Sequence, residues 1–174
     1  NTESWGVTVQ DDIKVIGAEG SHAQIRLVAD EGDDNNDNWR LRAEDGGSIY
    51  LQNYADAAWE TNLKSIGGGA IELYHDNSKV LHTTSAGVNI SNGTSQATLK
   101  VIGGEAQAGE LQIIADDGDN YGDYWQFLSN TDGTLLIRNL ASGSWETSIK
   151  SAINGNVELY YDNVKKLETY ADGI

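Results

Sequence analysis

Apolar residues recur at every second position in short stretches of this chain, and polar clusters break the alternation about every dozen residues. Ala23, Ile25, Leu27 and Ala29 alternate with Gln24 and Arg26, while Trp59, Thr61 and Leu63 alternate with Glu60, Asn62 and Lys64. A period of two puts one set on each face of a pleated strand, so these stretches predict strands. The same reading gives seven strands in the first half, at 5–17, 23–29, 39–43, 48–52, 59–64, 70–75 and 80–84, with Gly87-Val-Asn-Ile90 opening a junction. Gly, Asp and Asn fill the gaps at Gly17–Gly20, Asp30–Asn38, Glu44–Gly47, Gly67–Gly69 and Asp76–Ser78, as turns require. No amphipathic helix of useful length is predicted.

The pattern then returns. Trp59–Lys79, WETNLKSIGGGAIELYHDNSK, reappears at Trp145–Lys165 as WETSIKSAINGNVELYYDNVK. Shifting the chain by 86 positions lays residues 1–88 over 87–174 without a gap and with 31 identical pairs. Such self-similarity predicts two structural units set end to end, 1–88 and 89–174. A unit of that size buries only a modest core, and much of the 39% apolar content is Ala. The expected fold is all-β: two tandem antiparallel β-meander repeats in an elongated fibre, drawing part of their core from neighbouring units or sister chains. Strands such as Leu135-Leu-Ile137 carry little charge and the chain contains no Pro, the usual protections of a free edge. Edges paired with sister chains need neither. Seven short strands also suit a self-contained sandwich, which is the competing architecture.

Composition narrows the partners. With 27 acidic residues against 11 Lys and Arg, the formal net charge is −16, and there is no basic run to neutralise phosphates. Nucleic acid is thereby set aside, as is adsorption to acidic membranes. No apolar run approaches the length that spans a bilayer, and no signal-peptide pattern is present. Cys is absent, so disulfides and thiolate metal sites are excluded. The start at Asn1 without Met, and the stop at Ile174 where the first unit runs on past Val88, imply a fragment followed by further repeats.

The segments GAIELYHDNSKVLHTTSAGVNISNG (69–93) and GNVELYYDNVKKLETYADGI (155–174) each follow a Trp-Glu-Thr strand and an acidic loop of the form D-x-G-D-x-x-x-D-x-W. In these features the chain resembles repeats in tail-fibre and related structural proteins of marine tailed bacteriophages. The resemblance covers both units. It implies a homotrimeric, non-enzymatic shaft in which three chains wrap about a common axis, located in a virion tail or extracellular filament and carrying a receptor-binding tip. The implied partners are further copies and fibre segments, with a host-surface glycan as an external one. Neither a tip nor a self-cleaving chaperone domain is present, so receptor recognition does not carry over to these residues.

Three groups of residues bear on chemistry. In the acidic loops, Asp30, Asp33 and Asp37 recur as Asp116, Asp119 and Asp123, and clustered oxygen donors beside a Gly suit Ca²⁺. The spacing is not that of an EF-hand, and a solvated turn explains the same residues. Trp39, Trp59, Trp125 and Trp145 sit at equivalent positions in the two units; exposed, they would stack on sugar rings, whereas buried they would serve the core, which is the reading favoured here. A carbohydrate-binding adhesin module with monomeric sandwich units is accordingly the alternative function. Glu60 and Glu146, with Glu72 and Glu158 on the next strand, have the residue type of a glycosidase pair but suit ladder-paired charge better. His22, His75 and His82 have no His counterparts in the second unit, which removes them as ligands or catalysts.

Overall fold

A computed structural model describes residues 9–93 and 95–174, and in it the chain is all-β. It divides into two compact units, Asn1–Leu99 and Lys100–Ile174, each built on one antiparallel sheet. In the first, β1 (Ala23–Val28), β2 (Asn38–Ala43), β3 (Ser48–Ala55), β4 (Ala58–Ile66), β5 (Ile71–His75), β6 (Ser78–Thr84) and β7 (Gly87–Ile90) pair strictly in chain order. In the second, β8 (Gly109–Ile114), β9 (Tyr124–Ser129), β10 (Leu135–Ala141), β11 (Ser144–Ser151), β12 (Val157–Tyr161) and β13 (Val164–Glu168) do the same. The unit boundary lies past residue 88 because β7 is hydrogen-bonded to β6.

Turn chemistry fixes the hairpins. Asp56-Ala57, Asp76-Asn77, Ser142-Gly143 and Asp162-Asn163 each place two successive residues at positive φ, the geometry whose twist matches a two-residue hairpin. Beyond their turns, the β3–β4 and β10–β11 hairpins each contain a bulge, with Asn62 and Ser148 as the extra residues. A second bulge recurs in β5–β6 and β12–β13, with Val80 and Lys166 extra. The Asp-Asn turns brace the first bulge: Thr61 N–H donates to Asn77 Oδ1 and Thr147 N–H to Asn163 Oδ1, both at 2.8 Å.

Two predicted features differ. The expected strand at 5–17 begins outside the described residues with Trp5 and Val7, and its described part, from Val9 onward, is not a strand. Val15 there lines a shallow apolar hollow with Ala23, Ile25, Leu41, Ala43 and Ile49, so the alternation serves packing instead of pairing. The seventh strand of the unit is β7 in its place. The acidic loops, expected as plain turns, hold pairs of single 3-10 turns at Asp30–Gly32 and Asn35–Asp37, repeated at Asp116–Gly118 and Tyr121–Asp123.

Candidate functional site

The register sorts side chains into two faces of opposite character. One face carries a continuous apolar row, Ile25, Leu41, Leu51, Leu63, Leu73, Leu81 and Ile90, one residue from each of the seven strands. The second sheet repeats it as Leu111, Phe127, Ile137, Ile149, Leu159 and Leu167. Leu27, Trp39, Ile49, Ile71 and Val88 flank the first row, and Ile113, Trp125, Leu135 and Val157 the second. Within the chain this face stays largely uncovered: Ile25 is 42% and Leu27 60% exposed, and Leu128, on the other face, is the one apolar side chain buried among the described residues.

The polar face is the covered one. Arg40, Gln52, Glu72, Gln126 and Glu158 are all buried. In the first sheet Arg40 donates through Nε to Gln52 Oε1 at 2.8 Å, and Gln52 donates through Nε2 to Thr61 Oγ1 at 3.0 Å. In the second, Arg138 Nε donates to Gln126 Oε1, and Gln126 Nε2 donates to the Glu110 carboxylate. Farther along, Glu72 accepts from Tyr74 at 2.6 Å and pairs with Lys79 at 2.9 Å, with Lys64 at 4.0 Å. The Tyr74 hydroxyl and then Lys79 hold the Glu72 carboxyl below its ordinary value, while burial first and Glu72 second push the Tyr74 hydroxyl up to about 12. Glu158 is arranged alike among Tyr160, Asn156, Lys165 and Lys150, and its carboxyl is depressed to about 2, chiefly by the Tyr160 hydroxyl.

The structure separates the four Trp residues. Trp39 and Trp125 lie on the uncovered apolar face. Trp59 and Trp145 lie on the polar face, where Arg40 sits 4.0 Å from the Trp59 ring centre, Arg138 5.4 Å from that of Trp145, and Tyr54 meets Trp59 edge to face. A guanidinium over the ring is an attractive contact that occupies a stacking surface. None of the four is in a buried core within its own chain.

The acidic residues are distributed less symmetrically than the sequence suggests. Asp33, Asp34 and Asp37 bring carboxylate oxygens within 4.8 Å of one another, and Asp30 is not in that group. In the second loop Asn120 replaces Asp34, leaving Asp119 and Asp123, and Asp116 corresponds to Asp30. Asp37 Oδ2 accepts from Asp34 N–H at 3.1 Å, and Asp123 Oδ2 from Asn120 N–H at 3.0 Å, so these two carboxylates fasten the loop. Glu60 faces the apolar side opposite Asn53, whereas Glu72 faces the polar side opposite Lys64; Glu146 and Glu158 are split in the same way. Carboxylates on opposite faces of a sheet cannot flank one glycosidic bond.

Sequence reading missed the Arg–Gln pair, although its signal was available: Arg40 and Gln52 exchange identities as Gln126 and Arg138 between the repeats. Comparison with protein-family models, with curated proteins and with solved structures finds no match for the chain.

Proposed function

We propose that the chain is a structural shaft segment of a phage tail fibre or a similar extracellular filament, non-enzymatic, which self-associates and holds a receptor-binding tip at a distance. The observation that carries this reading is the apolar row that crosses every strand of both sheets with no member buried within the chain. A sheet face of that composition is stable only when covered. The chain exposes 13068 Å², whereas two separate globular units of half its mass would together expose about 10,000 Å². The excess, about 3,000 Å², is in the range that obligate oligomers bury.

Strand length supports three copies. Most strands that carry the row have five or six residues, with the row residue at or next to the middle. At about 3.4 Å per residue they span about 17–20 Å, and three such strands closing a triangle hold their midpoints about 5–6 Å from its axis. That is half the ~10 Å spacing of packed sheets, so three apolar rows fill the centre without a void. In that arrangement the strands would cross the shared axis and added repeats would lengthen the rod.

Size-exclusion chromatography with light scattering tests the reading. A particle of three chain masses that elutes early for its mass supports it. A compact monomer overturns it and favours the carbohydrate-binding adhesin, whose units are here single sheets and not the expected sandwiches.

A further inference from the structure

The two units differ at one place beside the apolar row. In the first, the bulge residue Asn62 donates through Nδ2 to Asn53 Oδ1 at 2.7 Å, tying the two amides together. In the second, the bulge residue is Ser148, whose shorter side chain makes no such bond to the corresponding Asn139. A cleft of about 300 Å³ is found there, lined by Asn139, Glu146, Thr147, Ser148, Tyr160, Tyr161 and Asp162.

Six of those side chains, Asn139, Glu146, Thr147, Ser148, Tyr161 and Asp162, have no side-chain hydrogen bond to any of the described residues, and four of them are half-buried. The one lining side chain already committed is Tyr160, whose hydroxyl donates to Glu158, while Thr147 is tied only through its backbone N–H to Asn163. Half-buried polar groups without protein partners are costly unless solvent or a ligand meets them. Tyr161, where the first unit has His75, is 75% exposed and adds an aromatic ring at the margin of this polar floor.

We propose that this cleft is a saccharide-binding site specific to the second unit. Carboxylates of Glu146 and Asp162 accept from sugar hydroxyls, the Asn139 amide and Ser148 hydroxyl both donate and accept, and the Tyr161 ring packs on the C–H face of a pyranose. A pair of carboxylates selects neutral sugars and repels uronic and sialic acids. The site uses none of the Trp residues, and because Asn139 and Glu146 lie on the face of the apolar row it requires that associated copies leave the turn end of β10 and β11 open.

Saturation-transfer difference NMR on the protein in its native association state tests this, with lactose, maltose, cellobiose and chitobiose as neutral probes and glucuronic acid and spermidine as charged ones. At least one neutral disaccharide is expected to bind with a dissociation constant of about 1 mM or below, with glucuronic acid at least tenfold weaker. Ser148→Asn, which restores the first unit's amide pair, and Tyr161→Ala, at an exposed position, should each weaken binding tenfold or more while circular dichroism and solution mass stay unchanged. The double variant Asn62→Ser/His75→Tyr should add a second equivalent site. Absence of binding by all four disaccharides, binding that both single variants leave intact, or spermidine binding without saccharide binding would each overturn the proposal.

Discussion

The two units share every strand position up to β6 and β13 within three residues at each end, yet they build their polar faces from exchanged parts. Arg40 on β2 reaches Gln52 on β3, whereas in the second unit Gln126 on β9 receives Arg138 from β10. The guanidinium has crossed the ladder and still lies over the Trp of the following hairpin, Trp59 or Trp145. What the repeat preserves is a charged donor, a paired amide and a ring, and not the residue at each position. The apolar row needed no such trade, because Leu, Ile and Phe substitute freely at a face that asks only for volume and absence of charge.

The harshest way to break the likeness is to charge the row. Leu51→Asp and Ile137→Asp put an unpaired carboxylate on the face that the proposed association covers, at about 3 kcal/mol or more each. Both variants are expected to lose the associated state, read as a fall in light-scattering mass to a single chain. If only one did so, the two units would not use their faces alike.

The exchange of Arg and Gln can be forced. Arg40→Ala leaves the buried Gln52 carbonyl without its donor and should destabilise the first unit by about 2 kcal/mol in urea unfolding. Arg40→Gln with Gln52→Arg imports the second unit's arrangement and should recover most of that loss. A double-mutant cycle with a coupling near zero would refute the equivalence.

A milder change sharpens the likeness. Asn77→Ala and Asn163→Ala each remove the acceptor for a backbone N–H beside the first bulge, and each should cost about 1 kcal/mol, equally in the two units.

The smallest effect is read by acid. Because the folded Glu158 carboxyl lies near 2, below its ordinary value, it contributes stability that is complete above the ordinary carboxylate range. That contribution is lost as pH falls from there through about 2. Glu158→Gln should therefore flatten the loss of stability between neutral pH and pH 3 in denaturant titrations, with little effect on the slope above pH 5.

Much of the fold was legible because strand period and turn residues are local properties. Asp-Asn at 76–77 and 162–163 announced left-handed turns, and the repeat located both sheets. The faces were less legible for a definite reason. Trp59, Thr61 and Leu63 share parity, so alternation assigns them to one face, but the extra residue Asn62 reverses the chain's facing and Leu63 emerges opposite Trp59. A bulge leaves parity in the sequence untouched, which is why Trp59 reads as sharing a face with Leu63. The acidic loops are opaque for a related reason: a carboxylate that fastens its own loop, as Asp37 does, looks the same in sequence as one available to an ion.

The strict chain-order pairing of both sheets has a kinetic consequence. Each strand meets its predecessor across a short connection, so closing each new pair costs little loop entropy and the sheets can zip from one end as the chain is made. For an all-β protein that is a fast route. Under the proposed self-association the slow, concentration-dependent event is the encounter of copies, and until it occurs every newly zipped sheet presents its greasy side to whatever is nearby.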